Sequence, residues 1–193
     1  MRQVFGGNSQ GFSTFDPRLD RDVFRIHAGG YCVAAGPAII STLLGSCVAV
    51  CLRDPEGPVA AMNHFLLPWP DRVSADKQVE GDCRYGVYAM RAIVDGMERM
   101  GACRTRMQAK LFGGAEMLAG MQPVGRGNIG YAEEVLERLG IPVIARDVGG
   151  REHRVIRFFT ENGRVQLQKP RARGVESVVA RRHGGTEAAL RGE

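Results

Sequence analysis

The chain has 193 residues, of which 44% are hydrophobic and 24% charged, with five cysteines and a net charge of +5. That length suits one domain of ordinary size with a real core, and no apolar run approaches the roughly 20 residues that span a bilayer. The first twenty residues lack an apolar signal-peptide core, and an odd cysteine count without export argues against a disulfide framework, so the expectation is a cytoplasmic protein without membrane insertion whose thiols either pack or react.

Residues 1–25 are polar and non-periodic and read as a flexible N-terminal arm. From Ile26 the pattern becomes globular. Ala38–Leu44 (AIISTLL) suits a buried strand, and a Gly45–Ser46 turn leads into Cys47–Arg53 (CVAVCLR). Asp54-Pro55-Glu56-Gly57 then separates that run from Val59–Leu67 (VAAMNHFLL), which predicts a β-hairpin. Trp69–Asp82 reads as an exposed loop. Tyr85–Met100 carries Tyr88, Ala89, Ala92, Ile93, Gly96, Met97 and Met100 on one helical stripe. Met107–Phe112 predicts a strand closed by Gly113-Gly114. A second helix is expected from Asn128, as N-cap, to Gly140, then a strand over Ile141–Asp147. His153–Phe159 and Val165–Lys169 flank an Asn162-Gly163 turn and predict a second hairpin. Strands first, with helices interspersed, point to an α+β fold in which residues 26–169 form one domain, followed by a basic tail over 170–193.

The first hairpin is the chemically suggestive element. With its loop closed symmetrically about Asp54 and Gly57, Cys47 falls directly opposite His64 on the same face, at Cβ separations of roughly 4.5–5.5 Å. A three-residue loop with a bulge would shift the register by one and separate them. An adjacent imidazole is expected to lower the thiol pKa and hold a thiolate–imidazolium pair; the thiolate is then the nucleophile and the imidazolium protonates the leaving group. Gly45 and Ser46 offer backbone N–H groups to a developing oxyanion. Ser41 and Thr42, near the end of the preceding strand, are available to orient the second ring nitrogen. Against this stands ordinary core packing: Cys47, Ala49 and Cys51 alternate onto one strand face, as buried residues do.

Three rival signals carry less. Gly125-Arg126-Gly127-Asn128-Ile129-Gly130 matches the dinucleotide-binding G-x-G-x-x-G, with Asp147 22 residues on, but Gly120 and Pro123 upstream do not read as the required strand. Cys47, Cys51 and His64 lack metal-ligand spacing and a fourth ligand, so no metal or other cofactor is expected. Cys32, Cys83 and Cys103 have no spaced partners, and His27, His153 and His183 sit in polar surroundings. Most of the basic excess is C-terminal, densest at Arg171, Arg173, Arg181 and Arg182, without the interleaved aromatics of a nucleic-acid platform. No nucleic-acid partner is expected.

Ser41–Pro68 (STLLGSCVAVCLRDPEGPVAAMNHFLLP) closely resembles the signature region of the CheD family, the chemoreceptor glutamine deamidases of bacterial chemotaxis. The likeness continues through Ala109–Met117 (AKLFGGAEM), Asn128-Ile129-Gly130 and Gly140–Gly150 (GIPVIARDVGG) and covers roughly residues 26–169. The resemblance implies mixed β-sheets packed together with flanking helices, a fold similar to the catalytic domain of the cytotoxic necrotizing factors. It implies hydrolysis of receptor glutamine side chains to glutamate with release of ammonia, through a cysteine thioester. The family's nucleophile maps onto Cys47 and its histidine onto His64. Its third residue, usually a threonine six positions before the cysteine, maps onto Ser41, which keeps the hydroxyl and loses the methyl. Implied partners are chemoreceptor cytoplasmic domains and a CheC-type phosphatase. The alternative from another class is a non-enzymatic chemotaxis adaptor that keeps the fold and works by binding.

Overall fold

Alternating apolar strands and amphipathic helices stack into three layers. A computed structural model of the chain describes residues 2–7, 11–70, 81–116 and 124–170. The strands are β1 (Arg2–Gly7), β2 (Phe12–Asp16), β3 (Arg21–Arg25), β4 (Gly30–Ala35), β5 (Ile39–Leu44), β6 (Val48–Arg53), β7 (Val59–His64), β8 (Gln108–Gly113), β9 (Val143–Val148), β10 (Arg154–Phe159) and β11 (Val165–Gln168). The helices are α1 (Gly86–Arg99) and α2 (Val124–Arg138). One sheet has six strands in the order β1-β4-β7-β6-β8-β9 and the other five, in the order β11-β10-β5-β3-β2. The α+β class is as expected.

Period-two alternation assigns each strand face to a layer. Val48, Val50 and Leu52 of β6 point toward the helices, where they meet Ile93 and Met97 of α1 and Ala132 and Leu136 of α2. Ala49 and Cys51 point the other way, with Ala60 and Met62 of β7, against Ile40 and Leu44 of β5 and Ile156 and Phe158 of β10. That inter-sheet layer is fully apolar over most of its extent, and the functional residues sit at one end of it. Among the described residues no helix is long and apolar enough to cross a membrane.

Two expectations need correction. The described parts of 1–25, residues 2–7 and 11–25, are not a free arm: β1 pairs antiparallel with β4, and β3 runs parallel to β5 while pairing with β2. These strands are specified by the strands they pair with rather than by a strong pattern of their own. The second helix begins at Val124, so Asn128 lies inside it and is no N-cap. The run Gly125-Arg126-Gly127, expected to lie before the helix, is wound into α2, where Gly125 packs so closely on the Gly114 carbonyl that no Cβ would fit. The 71–80 part of the expected loop and the tail beyond Pro170 lie outside the described residues.

Candidate active site

β5 and β6 belong to different sheets, so residues Gly45–Cys47 must carry the chain from one layer to the other. All three carbonyls of this crossing are held. Gly45 C=O accepts from the Ala115 amide (2.8 Å), Cys47 C=O from the Gly114 amide (2.8 Å), and Ser46 C=O from Asn128 Nδ2 (3.0 Å). The Gly113-Gly114 turn can come this close because both residues adopt positive φ, 106° and 67°. Among the described residues the Gly45 and Ser46 amides donate to no protein acceptor. Gly45, Ser46 and Cys47 are partly exposed, whereas His64 is only 4% exposed.

The hairpin forms as expected but in another register. Cys51 pairs with Met62 and Arg53 with Ala60, and the ladder closes where the Asp54 amide donates to the Val59 carbonyl. Asp54-Pro55-Glu56-Gly57 makes a β-turn of its own, with the Gly57 amide donating to Asp54 C=O at 3.2 Å. Pro58 has no N–H to extend that pairing, so the strands meet two residues later on that side, at Val59 and Ala60. Arg106 grips the Asp54 carboxylate at 2.9 and 2.6 Å, which holds that carboxyl well below the usual range and pins the turn.

Continued to the other end, this register pairs Val48 with Phe65 and sets His64 across from Ala49 rather than Cys47. The slip from the expected pairing is two residues, so the faces are conserved. Cys47 packs against the inter-sheet core, and His64 lies on that same face, two positions from Met62. Thiol and imidazole are therefore diagonal neighbours, a relation that spans about 7–8 Å between backbones and less between side chains. They are not hydrogen-bonded to each other in this state: Nε2 of His64 is buried and has no partner.

The opposite ring nitrogen is fixed, and by a different hydroxyl from the one the resemblance selected. Thr42 Oγ1 stands 2.7 Å from His64 Nδ1, while the same hydroxyl donates to Ile26 C=O at 2.8 Å. Its single proton is thus committed to the carbonyl, and it can only accept from the ring. Nδ1 carries the hydrogen and Nε2 is left with its lone pair. Ser41 is turned away: its hydroxyl donates to Ile156 C=O at 2.9 Å. Alternation is the reason, since Ile40, Thr42 and Leu44 share the inter-sheet face of β5 and Ser41 cannot. Thr42→Val should lower turnover about 10–100-fold, the worth of one hydrogen bond to a charged imidazolium. Ser41→Ala, compared with wild type by steady-state kinetics, should leave the rate within about threefold.

Burial also decides the charge state. Desolvation, with a smaller push from His27, lowers the His64 pKa from 6.5 to about 3. Desolvation raises the Cys47 thiol, and its own backbone N–H pulls it part of the way back. The resting pair is neutral thiol and neutral imidazole, where the sequence had suggested an ion pair. Stability follows by linkage. Between about 6.5 and 3 the unfolded chain binds one more proton than the native fold, so the contribution of neutral His64 is complete above pH 6.5 and lost as the pH falls. Urea unfolding of His64→Gln should therefore show a pH dependence shallower than wild type by ~1.4 kcal/mol per pH unit across this acid window. Equal slopes would contradict it.

Of the remaining sequence candidates, His27 stays close enough to act on His64. Cys32 and Cys51 are buried thiols pushed up by desolvation, Cys32 to about 12. Among the described residues no three His, Cys, Asp or Glu side chains are grouped to hold a metal ion. His183 lies outside those residues. The residue that sequence reasoning missed is Asn128, whose amide reaches both Ser46 and Leu66. Its place in a glycine-rich run disguised it.

The chain is similar to known proteins. A family model described as CheD chemotactic sensory transduction matches residues 66–169. The chain is 43% identical over 136 residues to a probable chemoreceptor glutamine deamidase CheD of Caulobacter sp. (strain K31), covering 69% of this chain and 70% of that protein. Proteins of the same description from Bordetella petrii and Agrobacterium fabrum are 39% and 42% identical, over 87% and 81% of this chain and 76% and 86% of their own lengths.

Proposed function

This chain belongs to the CheD family, and from that premise we propose that it is a glutamine deamidase that converts chemoreceptor glutamines to glutamate, with Cys47 as nucleophile and His64 as acid and base. The observation that supports the chemistry is the buried Nε2 lone pair, unpartnered, held in one tautomer by Thr42 on a side chain that shares the thiol's sheet face.

In the proposed course, a glutamine carboxamide enters beside Cys47 and excludes water from the crossing. Nε2 takes the thiol proton as Sγ bonds to the carboxamide carbon, so the neutral resting pair ionises only as the bond forms. The Gly45 and Ser46 amides, whose carbonyls are pinned away from the site, donate to the oxyanion. The imidazolium returns its proton to nitrogen, the C–N bond breaks and ammonia leaves a thioester. Water then gives a proton to Nε2 while its oxygen attacks the carbonyl carbon. Sγ departs and takes that proton back, and the new carboxylic acid releases its own proton to solvent as glutamate.

The substrate implies a cytoplasmic location. A CheC-type phosphatase, if it binds, would compete for the exposed crossing around Cys47. The same reading extends the fold likeness to the cytotoxic necrotizing factor catalytic domain, which superposition on such a domain tests. The decisive assay incubates a chemoreceptor cytoplasmic fragment with the protein and follows ammonia together with the ~1 Da gain per converted glutamine. Receptor binding with neither signal would favour the adaptor alternative.

A further inference from the structure

We infer that Asn128 is a positioning residue for the nucleophile: a side-chain clamp from α2 that sets the gap between the two strand ends bearing Cys47 and His64. This rests on the deamidase reading for its kinetic arm only.

The last backbone rung between β6 and its partner is Val48–Phe65, with hydrogen bonds of 3.1 and 3.0 Å. Beyond it the strands part. Cys47 C=O turns to the Gly114 amide and the Leu66 amide to the Arg84 carbonyl. Asn128 Nδ2 stands where the ladder stops, donating one hydrogen to Ser46 C=O at 3.0 Å and the other to Leu66 C=O at 2.7 Å. One carbonyl immediately precedes the thiol and the other lies two residues after the imidazole. Each strand end is thereby tied to a single rigid atom.

The amide orientation is unambiguous, because a flipped group would set Oδ1 against two carbonyl oxygens. The side chain is 0% exposed, and its Oδ1 is buried with no partner. Folding retains an orphan acceptor here, a costly choice unless the two donors matter. An apolar residue at 128 would abandon two carbonyls, and a carboxylate would repel both. α2 can deliver this short side chain because Gly125, one turn earlier, packs directly on Gly114. Gly114, in turn, donates to Cys47 C=O. The helix is thus registered against the crossing at two points, and both bear on the nucleophile's backbone.

The test compares wild type, Asn128→Asp, which keeps the shape and loses the donors, Asn128→Ala, and Val135→Ala as a core-weakened control on the same helix. Asn128→Ser, which retains one donor, replaces either Asn128 variant that does not fold by near-UV circular dichroism. Alkylation of Cys47 by iodoacetamide is read site by site by peptide mass mapping, and kcat and KM are measured on receptor fragment. The expected result is a 10–100-fold loss in kcat with KM within threefold, and an alkylation rate at Cys47 changed at least fivefold. Val135→Ala should leave both within threefold. Folded Asn128 variants with near-wild-type kcat and alkylation would overturn the inference, as would an equal loss in Val135→Ala. If wild type deamidates nothing, the functional reading fails and alkylation alone judges the clamp.

Discussion

Cys47→Ala should abolish ammonia release and the mass gain on receptor glutamine, a loss of roughly 10⁴-fold or more. Folding should survive, because Cys47 is only partly buried at the rim of the inter-sheet core and a smaller side chain there opens to solvent rather than to a sealed cavity. Receptor binding should persist too. Cys47→Ser should be nearly as inactive, since a serine hydroxyl is far harder to deprotonate by an imidazole whose own pKa burial has lowered to about 3. Retention of even a tenth of the wild-type rate in Cys47→Ala would remove this cysteine from the mechanism.

His64→Ala is the second large effect, an expected 10²–10⁴-fold drop in kcat. Its signature differs from that of the cysteine variant. Without Nε2 the thiol, raised by desolvation, has no base to receive its proton, so the residual rate should climb with pH as hydroxide takes over. In wild type the neutral pair should keep the rate nearly level across mildly acidic pH, because His64 does not protonate there. A wild-type rate that fell with an apparent pKa near 6.5 would place a charged imidazole in the resting enzyme and refute the neutral pair.

The site was legible in the sequence where alternation alone decides. Cys47 and His64 share a face under either register, because the slip of two residues preserves parity. The hairpin, α1 and the Asn162-Gly163 turn follow from local pattern, and Gly163 indeed takes φ of 71°. Register was not legible, since it depends on Pro58 refusing a ladder bond that spacing arithmetic assumes. The orienting hydroxyl was legible in principle. Ile40 and Leu44 mark the inward face of β5, and Thr42 shares it while Ser41 does not; counting from the cysteine led to the wrong neighbour. The first three strands and the start of α2 depend on tertiary partners. Arg2–Gly7 has no strand pattern until β4 lies beside it, and Gly125-Arg126-Gly127 winds into a helix against propensity because the Gly113-Gly114 turn needs a close neighbour.

The imidazole is anchored to one sheet by its backbone and to the other by Thr42, so the 2.7 Å contact at its ring ties the two sheets together at the site. His64 is in that sense a gauge of the distance between the sheets. Side chains such as Ile156 and Met62, remote from the thiol, set that distance by their volume. A change in that spacing would alter the Thr42–His64 contact, and with it the tautomer that leaves Nε2 its lone pair, without touching either residue.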